Sequence, residues 1–182
     1  MAKIFFNPGH CIGIDSGAVN PVNGVTEAEI CNQIARKVMI YLDRASCEVK
    51  FLQSNNLCGE YPAHLNIVDE ANKWPADIFI SLHCNAFNEK ANGTECLVFA
   101  KGSYAEDLAN AIQNQIISSL NTVDRGIKER PDLAVLKGTK MPAVLVEMAF
   151  IDNADDCSKL ISKQDDFARA IARGVTDYLS QV

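Results

Sequence analysis

The sequence predicts an α/β fold of three layers, in which a mostly parallel, twisted sheet carries helices on both faces. Short apolar runs of strand length alternate along the chain with longer segments in which apolar residues recur every four positions. The run at residues 76–82 is apolar almost throughout, which is typical of a strand covered on both faces. Alternation of strands with helices favours parallel pairing, because each helix then connects neighbouring strands as a crossover.

The strands are predicted from apolar runs and from the residues that end them. The first run, at residues 3–7, stops at Pro8-Gly9. Further strands are predicted at residues 48–53, 76–82, 95–100 and 142–146, with a short additional strand at residues 133–136.

The helices are predicted from apolar stripes and from their end signals. Thr26 and Glu29 have the spacing of a capping box, which places the start of the first helix at Thr26. A second helix is predicted at residues 61–74, where Pro75 ends it and His64 lies on its surface. The first helix has the stripe Ile30, Ile34, Val38 and Leu42. Two later helices have the stripes Leu108, Ile112, Ile116 and Leu120, and Phe167, Ile171, Val175 and Leu179.

Composition limits the classes of function. A length of 182 residues suits one domain, so residues 1–182 are expected to form a single domain. The net charge of −6 argues against nucleic acid as a partner. The longest apolar runs are strand-sized, so no transmembrane segment is expected, and residues 1–7 lack the apolar segment of a secretory signal. The seven cysteines form no Cys-x-x-Cys pair and are expected to be free thiols.

Three titratable residues stand where predicted strands end. His10 follows the first strand, His83 comes directly after Leu82, and Glu147 comes directly after Val146. Because the carboxyl ends of parallel strands line the ligand crevice of such sheets, these residues are expected to converge. A carboxylate at the end of a buried strand needs a compensating charge, and a cation would provide it.

Two histidines and one carboxylate around an open position form a ligand set of hydrolytic zinc. Glu27 and Glu29 are the candidates for the third ligand. Glu29 is the natural capping-box partner of Thr26, which favours Glu27 as the ligand.

Four ordered motifs carry a resemblance to a known family. They are Asn7-Pro8-Gly9-His10 with Asp15-Ser16-Gly17-Ala18, then Gly24-Val25-Thr26-Glu27, then Ser81-Leu82-His83-Cys84-Asn85-Ala86, and finally the segment from Pro142 to Asn153. In this order the motifs resemble the zinc-dependent N-acetylmuramoyl-L-alanine amidases of type 3, and they cover nearly the whole chain.

The resemblance implies a role for each matching residue. His10, Glu27 and His83 match the zinc ligands, with one Zn²⁺ per chain, and Glu147 matches the catalytic glutamate that serves as general acid and base. Asn85 matches a position where the amide either contacts substrate or supports the ligands, and a loop-capping role explains it equally well. The reaction implied is hydrolysis of the amide between N-acetylmuramic acid and the L-alanine of the stem peptide by zinc-activated water.

The segment after the second strand departs from the family pattern. Residues 53–61 lack the Thr-Arg pair that members often carry there, and Ala71-Asn72 lacks the Arg usually placed before it. The departures concern the loop expected to contact substrate, while the metal ligands are retained.

Several alternatives share part of this pattern. Another zinc amidohydrolase, such as a deacetylase or carboxypeptidase, would use the same metal chemistry, whereas an inactive wall-binding module would have no use for Glu147. A thiol hydrolase built on Cys84 and His83 is disfavoured because neighbours on a strand point to opposite faces. The protein is expected to be a monomer that acts on peptidoglycan at the bacterial cell wall, as an exported fragment, an autolysin or spore enzyme, or a phage endolysin.

Overall fold

The computed structural model describes residues 1–181, which form six strands and six helices that alternate, except that the third and fourth strands and the fifth and sixth helices follow one another directly. The strands are β1 (Lys3–Pro8), β2 (Glu48–Phe51), β3 (Ile78–Asn85), β4 (Thr94–Val98), β5 (Asp124–Glu129) and β6 (Ala143–Phe150). The helices are α1 (Glu27–Arg44), α2 (Ile67–Lys73), α3 (Tyr104–Leu120), α4 (Ala134–Gly138), α5 (Ala154–Ser162) and α6 (Gln164–Leu179).

The strands form one sheet in the order β2-β1-β3-β6-β4-β5. The first four of these strands are parallel, β4 runs antiparallel to β6, and β5 is parallel to β4. The reversal at β4 has a simple cause, since the loop between β3 and β4 contains no helix and is too short for a parallel crossover. The predicted mostly parallel α/β architecture is confirmed.

The sheet separates two unequal cores. Ile4 and Phe6 face the larger core, which packs against α1, α3, α5 and α6, while Phe5 faces the smaller core beside α2 and α4. This alternation along β1 is the two-residue period of a strand covered on both faces.

The start of α1 follows the predicted capping box. The Thr26 side chain accepts a hydrogen bond from the Glu29 amide, and the Glu29 side chain accepts one from the Thr26 amide. Glu29 is therefore engaged in the cap, and Glu27 becomes the first residue of the helix, with 4% of its surface exposed.

The prediction of a helix over residues 61–74 is wrong in its first half, because α2 begins at Ile67. His64 lies in an exposed turn before the helix. The carbonyls of His64 and Leu65 accept hydrogen bonds from the side chains of Asn56 and Ser54, so the preceding loop holds this segment outside the helix.

Three other segments differ from the expectation. The predicted strand at residues 133–136 is wrong: the segment opens α4, where the amides of Leu136 and Lys137 bond the Leu133 carbonyl. Strand β5 was missed because its sequence, DRGIKE, carries mostly polar side chains at the edge of the sheet. Helix α5 was missed because a strongly polar first turn obscures its short apolar stripe.

Candidate metal centre and paired carboxylates

His10 lies in the loop that follows β1, and two glycines pack against its imidazole and that of His83. The φ of His10 is 61°, in the left-handed region. A Cβ at Gly17, itself at φ 62°, would lie 2.4 Å from Cδ2 of His10, and a Cβ at Gly9 would lie 2.4 Å from Cε1 of His83. Glycine at these two positions lets the backbone approach both imidazoles closely.

Glu27 occupies the first position of α1 and is fully engaged. Its Oε2 lies 3.0 Å from Nε2 of His10 and accepts a 3.0 Å hydrogen bond from the Ala18 amide. Its Oε1 lies 2.9 Å from Nδ1 of His83 and accepts a 3.0 Å hydrogen bond from the Cys84 amide. The helix N-terminus adds a favourable field, so this buried carboxylate is held in its ionised form.

His83 and Glu147 lie within strands rather than at their ends, which corrects the predicted strand bounds. Strand β3 continues to Asn85 and β6 continues to Phe150. His83 and Glu147 are register partners on these adjacent parallel strands, so both side chains lie near the same edge of the sheet. The convergence predicted for His10, His83 and Glu147 is therefore observed in the fold, and Glu27 joins His10 and His83.

The donor atoms fit a metal cation. One ligand atom from each of His10, Glu27 and His83 lies within 4.8 Å of the other two. The hydrogen bond to Glu27 raises the pKa of His10 to about 9, although burial opposes the shift. Burial raises the pKa of Glu27, but the hydrogen bonds from His10 and His83 outweigh burial and hold that pKa well below its usual value. The cluster therefore favours positive charge between its side chains.

Asp15 supports this cluster and was not assigned a role from the sequence. Its Oδ2 lies 2.7 Å from Nδ1 of His10, and its Oδ1 accepts a 3.0 Å hydrogen bond from the Gly17 amide. A carboxylate on the far nitrogen of a ligand imidazole fixes the ring so that the other nitrogen faces the metal. Its signal in the sequence was a carboxylate five residues after His10, within the first motif.

Glu147 contrasts with Glu27 in its bonding. Its Oε2 is buried and has no hydrogen-bond partner among the described residues 1–181. Burial raises the pKa of Glu147 to about 7, and the nearby His83 opposes the shift. A carboxyl group that exchanges a proton near neutral pH is suited to general acid and base chemistry.

A second carboxylate, Glu95, lies opposite Glu147 on the neighbouring strand β4 and was not identified from the sequence. The two residues are register partners in the antiparallel pair of β4 and β6. Lys128 Nζ and Arg125 Nε lie 2.6 Å and 3.0 Å from Oε2 of Glu95. The Asn85 side-chain amide donates a 2.9 Å hydrogen bond to Oε1 of Glu95, so Asn85 connects the family motif to this cluster.

The Asn85 side chain also caps its own loop, because its Oδ1 accepts a hydrogen bond from the Ala86 amide. Cys84, its neighbour, points into the core, where its Sγ lies 3.9 Å from that of Cys31. This orientation agrees with the expectation that Cys84 and His83 face opposite sides. All seven cysteines are free thiols in the structure.

A groove of about 180 Å³ adjoins His10 and His83 on the smaller-core side of the sheet. Its walls include Ser54, Asn55 and Leu57 from the loop after β2, and Leu133 and Ala134 at the start of α4. The loop segment that departs from the family pattern therefore lines the groove beside the cluster of His10, Glu27 and His83.

The fold and the site define an α/β protein with a possible metal-binding cluster and a free carboxylate at the carboxyl edge of its sheet. The N-acetylmuramoyl-L-alanine amidase family matches residues 4–177 of the chain. The chain belongs to this family.

Individual relatives agree with the family match. Over 180 residues the chain is 36% identical to the N-acetylmuramoyl-L-alanine amidase LytC of Bacillus subtilis, covering 96% of this chain and 35% of the relative. It is 34% identical to the endolysin of Bacillus phage SPP1 over 191 residues, covering 100% of this chain and 66% of the endolysin. The chain thus spans about a third of the first relative and about two thirds of the second.

A solved structure gives the same result for the fold. The catalytic domain of CwlV, an N-acetylmuramoyl-L-alanine amidase from Bacillus (Paenibacillus) polymyxa, superposes with a TM-score of 0.86 at 29% identity and covers 99% of each chain. Together these matches support the peptidoglycan amidase interpretation over the deacetylase, carboxypeptidase and inactive-module alternatives. Within residues 1–181, no helix has the length and apolar character needed to cross a membrane.

Proposed function

We propose that the chain is a zinc-dependent hydrolase that cleaves the amide between the lactyl group of N-acetylmuramic acid and the first L-alanine of the stem peptide. The observation that carries the proposal is the cluster of His10, Glu27 and His83, whose ligand atoms lie within 4.8 Å of one another, with Glu147 on the strand beside His83. The family match supports the scissile bond, because the metal site alone would suit many amides.

His10, Glu27 and His83 would hold one zinc ion. Glu27 contributes a carboxylate that two backbone amides already orient, and Asp15 fixes the ring of His10. Zinc, when bound there, supplies Lewis acidity that acidifies a water molecule and polarises an amide carbonyl.

Glu147 moves the protons. Its carboxylate, of which Oε2 has no partner among the described residues, accepts a proton from the attacking water. It then donates this proton to the leaving amine of L-alanine, so one carboxylate serves both steps. A carboxylate that was itself a ligand would be less able to do this, which is why two carboxylates with different surroundings are needed.

The expected oligomeric state, domain content and site of action follow from the same proposal. All four site residues come from one chain, so we expect the monomer to be active and residues 1–182 to act as one catalytic domain. The substrate requires that the protein acts at the bacterial cell wall.

Digestion of purified peptidoglycan tests the scissile bond. New N-terminal L-alanine should appear without new reducing sugar ends. Reducing ends would indicate a glycosidase, free acetate a deacetylase, and release of C-terminal D-alanine a carboxypeptidase. Full activity after exhaustive chelation would contradict the metal dependence.

A further inference from the structure

Two carboxylates face each other across β4 and β6, which is an unfavourable arrangement for a sheet. Glu95 and Glu147 are register partners, and side chains directly opposite in an antiparallel pair have Cβ atoms roughly 4.5–5.5 Å apart. Like charges in this arrangement destabilise the pair. Glu95 is 8% exposed, so water does little to screen its charge.

The cations nearby are bound to one of the two carboxylates. Lys128 and Arg125 both contact Oε2 of Glu95, and Asn85 donates to its Oε1. Oε2 of Glu147 has no partner within residues 1–181. The two neighbouring carboxylates therefore differ sharply in their bonding.

We propose that Glu95 is a positioning residue that engages Lys128 and Arg125 and so keeps Glu147 free of an ion pair. The proposal rests on the catalytic role of Glu147 proposed above. A lysine bound to Glu147 would occupy the oxygen that must accept a proton, and it would hold the carboxylate away from the substrate.

The two cations differ in how firmly they are placed. The Arg125 guanidinium lies 4.9 Å from the centre of the Phe150 ring and also contacts the Asn92 carbonyl at 3.4 Å. The Lys128 side chain is 45% exposed and reaches the cluster through its contact with Glu95. Lys128 is therefore the cation that would move to Glu147 if Glu95 lost its charge.

Glu95→Gln tests the proposal, because glutamine keeps an acceptor for Asn85 but removes the charge. In the zinc-loaded enzyme, assayed on a soluble muramoyl-peptide, kcat should fall at least about tenfold, but by no more than the roughly 10²–10⁴-fold that general acid and base catalysis provides. KM and zinc content should stay close to those of the wild type. Glu70→Gln is the matched control, since Glu70 pairs with Lys50 at 2.8 Å near β2, away from the site, and its kcat should not change.

Rescue separates positioning from a structural role. The double variant Glu95→Gln/Lys128→Met removes the cation that would pair with Glu147, so it should recover most of the lost kcat. If Glu95→Gln does not fold, Glu95→Asp shortens the reach of the carboxylate by one methylene and should show a loss of kcat that Lys128→Met restores.

Two results would overturn the proposal: wild-type kcat in Glu95→Gln, or a double variant no faster than the single one. Glu147→Gln is assayed in parallel. If Glu147→Gln is inactive while Glu95→Gln is fully active, the positioning role fails and the proposed function stands. If Glu147→Gln is itself fully active, the catalytic role of Glu147 and the positioning role of Glu95 both fail, whereas cleavage of the amide at the metal site stands.

Discussion

The site has two parts whose carboxylates differ in hydrogen bonding. In the first part, built on the loop after β1, the start of α1 and β3, both oxygens of Glu27 are engaged by an imidazole and a backbone amide each. In the second part, built on β6, β4 and β5, Oε2 of Glu147 is buried without a partner among residues 1–181.

This difference separates a ligand from a proton carrier. A carboxylate held at several points keeps its charge and direction, which suits metal binding. A carboxylate with a free oxygen and a pKa raised to about 7 by burial can take up and release a proton. The first part is therefore expected to control metal content, and the second to control the rate at constant metal content.

Removing the ligand should have the largest effect. Glu27→Ala should lose both the zinc and the activity, because two imidazoles alone form an incomplete site. Elemental analysis of the purified protein measures the metal. Glu29→Ala is the matched control on the same helix turn: it should keep the zinc and lose about 1 kcal/mol of stability, because the capping box is broken. Loss of zinc from Glu29→Ala instead would reassign the ligand.

Removing the proton carrier should lower the rate without removing the metal. Glu147→Gln is expected to fold, to keep one zinc, and to lose roughly 10²–10⁴ in kcat. Steady-state kinetics and elemental analysis on the same preparation provide both values. A variant that loses zinc along with activity would place Glu147 among the ligands and remove the contrast between the two parts.

Weakening the support of a ligand should have an intermediate effect. Asp15→Asn leaves the three ligands in place but weakens the contact with Nδ1 of His10, so zinc affinity should fall by roughly 10–100-fold. Competition with a chelator measures the affinity. Asp77→Asn, which alters a carboxylate bound to the Lys3 amide at the far end of β1, should leave the affinity unchanged. Equal affinities of Asp15→Asn and wild type would contradict the orienting role.

The first part of the site could be predicted because its residues stand at positions that local sequence defines. His10 follows an apolar run, and the capping box assigns Glu29 to the cap and Glu27 to the site. These signals depend on a few adjacent residues and on the rule that parallel strands share an edge. The helices were predicted from their apolar stripes for the same reason, since each stripe corresponds to one buried face of a helix.

In the second part, Glu147 was predicted and Glu95 was not. Glu95 lies opposite Glu147 because β4 pairs with β6, and hydrophobic periodicity does not specify which strands pair. The contact exists because β4 runs antiparallel to β6, and the apolar pattern of β4 gives no direction. Arg125 and Lys128 belong to an edge strand whose polar sequence resembles a loop. The false start of the second helix has another origin, since side chains of the loop just before it bind the carbonyls of His64 and Leu65.

The smallest expected effect concerns stability against pH at Glu95. Burial raises the pKa of Glu95, but the hydrogen bonds from Lys128 and Arg125 outweigh burial and hold that pKa below its usual value. A carboxyl with a lower pKa in the folded state stabilises the protein above its unfolded pKa of about 4.3, and this contribution is lost as pH falls through the folded value. The Tm of Glu95→Gln should therefore lie below that of the wild type at pH 7, by roughly 2–4 °C if about 1 kcal/mol is lost. The difference should shrink below about pH 4, as Glu95 becomes protonated in the wild type.

Glu70→Gln, which breaks a more exposed pair, should show a smaller difference at pH 7. Thermal unfolding of the three proteins from pH 7 to pH 3 measures both differences, and a Tm gap for Glu95→Gln that stays constant over this range would show that the charge of Glu95 contributes nothing to it.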